Sequence, residues 1–203
     1  MTTVTGLFDH YSDAATAVAQ LKAAGVPEND ISIVSNNSDG RYEDDDNGAA
    51  EGAGTGAGVG AALGGGAGLL TGLGMMAIPG VGPVVAAGWL AATAAGALAG
   101  AVVGGAAGGL IGALTDSGVD ENDAHVYAEG VRRGGTLVTA KVDDARAGEA
   151  EAILQRSNWV DLSERRSTYE NEGWSRFDDA SNPYSREEIA AERARYGTRA
   201  SSI

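Results

Sequence analysis

Between Glu51 and Asp116 the chain runs for 64 consecutive residues without one Asp, Glu, Lys or Arg. With nothing charged to offer a solvated face, that stretch must be enclosed by protein or lipid, or else stay unfolded. Every charge lies in the flanks: ten acids and two bases up to Glu51, eighteen acids and twelve bases from Asp116 onward. Within the silent segment 21 residues are Gly and 18 are Ala, and Pro79-Gly80-Val81-Gly82-Pro83 interrupts it near the middle. Two prolines bracketing glycines break a helix. The spacing therefore predicts a helical hairpin, with arms at about 52–77 and about 84–114 and a turn carried by Pro79, Gly80, Gly82 and Pro83. As a helix, each arm is long enough to cross a hydrocarbon layer of about 30 Å.

The glycines are periodic. In the first arm Gly52, Gly56, Gly60, Gly64, Gly68 and Gly72 recur every four residues; in the second Gly96, Gly100, Gly104, Gly108 and Gly112 do so, extended backwards by Ala92 and Gly88. A four-residue period lays a smooth groove along one helix face, the small-xxx-small mode by which helices approach closely in membranes. Leu63, Leu69, Leu70, Leu98, Val102 and Leu110 occupy other faces, free to meet lipid, and Trp89 near the turn suits an interface. Three surroundings fit such a segment: a membrane hairpin, the glycine-zipper core of a soluble oligomer, and a flexible linker. In water each interior Gly costs a helix about 0.8–1 kcal/mol relative to Ala, whereas in lipid the alternative to helix is unsatisfied backbone, so the same glycines are tolerated.

The flanks read as the two halves of one small domain. Val4–Phe8 has strand character; Asp9-His10-Tyr11-Ser12 supplies a cap before Ala14, Ala17, Val18 and Leu21, which share a helix face. Gly25 and Pro27 stop that helix, and Asp30–Ser35 is a second strand. After the silent segment, Asp120 caps a helix with Ala124, Tyr127, Ala128 and Val131 on one face, ended by Gly134 and Gly135. Thr136–Val142 is a strand, Asp144 opens a helix with Ala147, Ala150, Ile153 and Leu154 inward, and Trp159–Leu162 returns as a short strand. Two β-α-β halves sharing one sheet, with helices on one face, give a ferredoxin-like α+β arrangement. The expected organisation is 1–38 first half, 39–51 acidic linker, 52–115 glycine-zipper hairpin, 116–162 second half, and 163–203 flexible tail, mostly disordered.

Val4-Thr5-Gly6-Leu7-Phe8-Asp9, Leu21–Pro27 with Ile31-Ser32-Ile33-Val34, the Ile78–Pro83 turn, and Tyr127–Val138 together resemble the bacterial YflT-like heat-induced general stress proteins, in the form carrying a glycine-zipper insertion. The resemblance covers residues 1 to about 162. It implies a stress-induced bacterial protein with no established catalytic activity and no active-site motif to carry over.

Other chemistry finds little purchase. A formal charge of -14 opposes nucleic-acid binding, and the absence of Cys removes disulfides, thiolate metal sites and cysteine nucleophiles. The first nine residues lack the basic and apolar regions of a signal peptide, which argues against export by that route. Gly56-Ala57-Gly58-Val59-Gly60-Ala61 fits a loose dinucleotide fingerprint, but no acid follows before Asp116 to hold a ribose. His10 and His125, with Asp9, Asp120 or Asp123, have the chemistry of a zinc site, against the plainer reading of a cap residue and a surface residue. Glu43-Asp44-Asp45-Asp46 lacks the alternation of a calcium loop and reads as solvated linker. No catalytic, cofactor-binding or metal residue is assigned, and no cofactor.

In the tail, Ser185 and Glu188 are spaced as a capping box for a short helix, while Trp174, Phe177 and Tyr184 suit docking to a protein partner. The expected function is thus a non-enzymatic stress-associated protein, anchored in lipid and self-associating through the glycine-zipper hairpin; the alternative is a soluble self-assembling particle with the hairpins in its core. Arg41, Arg132 and Arg133 flank the hairpin on the side of both termini, so the expected location is the bacterial inner membrane with cytoplasmic termini, the alternative being the cytoplasm. A ligand-binding sensor finds no positive support in the sequence.

Overall fold

The computed structural model describes residues 1–38, 74–93 and 109–197. They form an α+β fold around a five-stranded antiparallel sheet in the order β1-β5-β2-β4-β3. The strands are β1 (Thr2–Phe8), β2 (Ile31–Asn36), β3 (Gly74–Ile78), β4 (Gly82–Ala87) and β5 (Thr136–Val142). The helices are α1 (Tyr11–Ala23), α2 (89–93), α3 (Leu110–Asp116), α4 (Glu121–Arg132), α5 (Ala147–Arg156), α6 (Leu162–Asn171) and α7 (Arg186–Gly197). β5 is central to the two halves: it pairs with β1 from Thr2 opposite Val142 to Phe8 opposite Thr136, and with β2 from Ile31 opposite Ala140 to Ser35 opposite Thr136.

Helices cover both faces of this sheet, not one. On the first face Phe8, Ile31, Ile33 and Val138 meet Ala14, Ala17, Val18 and Leu21 of α1 and Ala150, Ile153 and Leu154 of α5. On the second, Leu7, Val34, Val84 and Leu137 meet Leu90 of α2, Leu110 and Leu114 of α3, and Ala124, Tyr127, Ala128 and Val131 of α4. Alternate residues of each strand thus enter different cores, which is why β2 is buried at all six positions and shows no exposed side. The expected strand at Trp159–Leu162 is absent: only the Val160 amide bonds to the Leu7 carbonyl, at 2.8 Å, before Asp161 caps α6.

The expected helical hairpin is overturned at its centre. Residues 74–78 and 82–87 are strands paired from Gly74 opposite Ala86 to Ile78 opposite Gly82, and β4 continues the sheet by pairing with β2. Pro79 and Gly80 are the middle of a β-turn, closed by the Val81 amide on the Ile78 carbonyl at 3.0 Å, with Gly80 at φ +73°. Pro followed by a left-handed Gly is the sequence of a type II turn, so these residues reverse strands rather than break helices. Gly88 also leaves the zipper: at φ +89° it lies against β2, where a Cβ would stand 2.2 Å from the Ile31 carbonyl oxygen. Gly112 is half-buried on α3. Gly52, Gly56, Gly60, Gly64, Gly68, Gly72, Gly96, Gly100, Gly104 and Gly108, and the acidic linker 39–51, lie outside the described residues.

The tail is folded, contrary to the expected disorder. α6 and α7 pack on the side of α4 turned away from the sheet, where Val126, Tyr169 and Tyr196 form a third small core beside Trp174. The capping box of α7 forms in both directions: the Glu188 amide donates to Ser185 Oγ at 3.3 Å, and the Ser185 amide to Glu188 Oε2 at 2.8 Å. Phe177 packs against the second sheet-face core and Trp174 against the third.

Candidate functional site between α4 and the C-terminal helices

α4 is enclosed on one side by the sheet and on the other by the tail, so every residue from Ala124 to Val131 is buried. Its sheet side is apolar. Its tail side carries Glu129 and His125, two polar residues of the same surface.

Glu129 is 1% exposed and lies under two guanidinium groups. Arg133 Nε donates to Oε1 at 2.7 Å, one helical turn on, and Arg132 Nη1 donates to Oε2 at 3.3 Å. Arg133 also reaches out to the tail, donating to Glu172 at the end of α6 and approaching Glu192 of α7 at 3.5 Å. Arg195 closes the cluster on Glu172 and Glu192. Burial disfavours the Arg133 charge, but the hydrogen bonds to Glu129 and Glu172 outweigh it and raise its pKa. The guanidinium carbon sits 4.1 Å from the Tyr169 ring centroid, which adds a cation–π contact. A second clamp lies beside the first: Arg165 of α6 makes a two-pronged contact with Asp9, both bonds 2.8 Å, and covers the Tyr196 ring at 3.7 Å. Acids and bases are matched throughout. The arrangement fastens the tail to the domain.

His125 lies one turn before Glu129, in the wall of a cleft of about 130 Å³. Ile78 and Pro79 from the β-turn, Leu110 and Ile111 from α3, and Phe177 from the tail give it apolar walls; Arg176 and Asp179 bring charge. The histidine is 7% exposed, and neither ring nitrogen has a hydrogen-bond partner among the described residues. The Glu121 carboxylate oxygen Oε1 is 3.8 Å from Nε2, beyond hydrogen-bond reach, and is taken by Arg176. Burial, and then the Arg176 charge, hold the imidazole below its ordinary pKa of 6.5, so it is neutral at pH 7.

The structure disperses the zinc ligands considered from the sequence. Asp9 is bound to Arg165, Asp120 caps α4, Asp123 is bound to Arg166, and His10 is an exposed residue at the start of α1. Among the described residues no three His or carboxylate groups are placed to hold a metal ion. Sequence reasoning passed over Glu129, Glu172, Glu192 and Arg165; the one available signal was an acid directly beside the apolar Tyr127-Ala128 pair. No protein-family model, curated protein or solved structure matches the chain.

Proposed function

We propose that this chain is a non-enzymatic, self-associating protein of the bacterial stress class, in which the charge-free stretches 52–73 and 94–108 bring copies together through their four-residue glycine repeat. Its two flanks are read as a ferredoxin-like unit: β5 lies between β1 and β2, α1 and α5 share a face, and Val160 stands where a fourth strand would pair with β1. β4 and β3 are an addition beyond β2.

The observation that carries the choice of surroundings is where the two stretches leave and rejoin the fold. Residues 38 and 74 adjoin β2 and β3 of one sheet, and residues 93 and 109 lie at α2 and α3 in one core. A chain that departs from and returns to one body crosses a bilayer an even number of times or not at all. Two helical crossings take about 40 apolar residues, whereas 52–73 supplies 22 and 94–108 supplies 15. Among the described residues no helix is long and apolar enough to cross a membrane. By length, enclosure by other copies accounts for these stretches better than two helical crossings in each of them. A second reading, favoured by the unbroken absence of charge, is shallow insertion into the inner membrane from the cytoplasmic side, with the glycine repeats still pairing.

Crosslinking of wild type against the Gly100→Leu, Gly104→Leu variant tests the reading, with Val102→Leu as the neighbouring control. Close packing requires that the double variant lose its oligomer, because two Leu side chains push the backbones apart. An unchanged oligomer in a normally folded double variant overturns it. Pelleting that resists carbonate and yields to detergent selects the membrane reading.

A further inference from the structure

We propose that the cleft between α4, α3 and the C-terminal tail binds a small, neutral, ring-sized organic molecule with one hydrogen-bonding atom, of the phenol class, which His125 recognises. The cleft is lined by no residue of 52–73 or 94–108, so such binding is independent of the self-association reading.

Size sets the first limit. A cleft of about 130 Å³ is close to the roughly 150 Å³ that accommodates benzene in an apolar protein interior, so there is room for one six-membered ring. Charge sets the second. Arg176 and Asp179 put a charge of each sign in the lining, so an ion of either sign meets a like charge there as well as an opposite one. A neutral molecule meets neither objection, and the side chains of Ile78, Leu110, Ile111 and Phe177 suit its ring.

The third limit comes from His125. Buried polar groups are hydrogen-bonded in all but a few cases, and each exception calls for an explanation. Here both nitrogens of one ring lack a partner, and that ring belongs to the wall of the cleft. A neutral imidazole has one N–H donor and one bare nitrogen acceptor. A hydroxyl both donates and accepts, so it is served by either nitrogen. The nitrogens are covered by their neighbours, and contact therefore needs a rotation of the ring about its terminal torsion, a broad and soft coordinate.

The test is a titration of the full chain with phenol and, separately, with benzene, followed by NMR of the histidine ring protons. His10, exposed and outside the cleft lining, is the internal reference and the only other histidine. Expected are saturable shifts at His125 and not at His10, with phenol bound about fivefold tighter than benzene, the ratio that one neutral hydrogen bond supplies. His125→Phe should abolish that preference while benzene still binds. Ile111→Trp, a change at a half-buried wall position, should fill the cleft and remove both ligands. Shifts that rise linearly to the solubility limit, a phenol preference that survives His125→Phe, or binding unaffected by Ile111→Trp would each overturn the proposal. Should His125→Phe fail to fold, the wild-type titration and the Ile111→Trp comparison still decide it.

Discussion

A single buried carboxylate organises the residue scale. Glu129 is held inside the protein by hydrogen bonds from Arg133 and Arg132, and removing one partner of such a buried ion pair strands the other. Arg133→Met is expected to lower the unfolding free energy by roughly 3–5 kcal/mol, the usual cost of breaking a buried pair. Adding Glu129→Gln to that variant should recover part of the loss, since the unpaired charge is then gone; urea denaturation of wild type, the single and the double variant measures both steps. His125 makes the opposite kind of statement. Its folded pKa lies below 6.5 because burial and Arg176 disfavour the imidazolium. The unfolded chain therefore takes up its proton first, and the contribution to stability is complete above about pH 6.5 and lost as pH falls below it. The urea midpoint should drop between about pH 7.5 and about pH 5, and His125→Gln should flatten that drop. A slope unchanged by the substitution would assign the acid sensitivity elsewhere.

The tail shows how ionic docking decides the fate of an element. The buried side chains of α7 are Ile189, Glu192 and Tyr196, at i, i+3 and i+7, so one of its three inward positions is an acid held near Arg133. Ending the chain after Ser185 should remove that layer from Val126 and Tyr169, lower the thermal midpoint, and speed amide exchange along α4 from His125 to Arg133. Exchange there as slow as in the full chain would show that α7 contributes nothing to holding α4. The same element explains what the sequence made legible. α1 and α5 bury the residues that their periodicity indicates, Ala14, Ala17, Val18 and Leu21 on one and Ala150, Ile153 and Leu154 on the other, because a single apolar face meets a single sheet face. α7 defeats that reading, since hydrophobic periodicity is blind to a Glu that faces inward toward an Arg from another helix. The β3–β4 hairpin defeats it differently: β4 is covered on both faces, so it shows no alternation, and its Pro79-Gly80 turn sits in a charge-free run that points equally to helix. The cleft beside His125 draws its walls from a turn, two helices and the tail, a convergence that no local pattern announces.

At the scale of the whole molecule, the sheet fixes which parts of the chain share a side of any membrane. A helical hairpin spanning a bilayer would put residues near 75 on the face opposite Thr16. In the structure Met75 is on β3, paired through β4 and β2 to the same sheet that α1 covers, so Thr16, Met75 and Thr93 belong to one body. All three are exposed, Met75 at 56%, and the chain has no cysteine of its own. Single cysteines at these positions can therefore be compared by labelling with an impermeant thiol reagent. In intact spheroplasts the three should behave alike, and after lysis all three should react. Glycines of the turn are poor choices for this purpose, because a side chain at Gly80 would stand 2.7 Å from the Asp179 Cα and disturb the tail. Labelling of Met75→Cys in intact spheroplasts while Thr16→Cys stays protected would separate β3 from α1 across the bilayer. Such a result is incompatible with the order β1-β5-β2-β4-β3 and would restore the spanning hairpin. Identical protection of all three, together with crosslinks lost in the Gly100→Leu, Gly104→Leu variant, leaves the glycine repeats to work between copies on one side of the membrane.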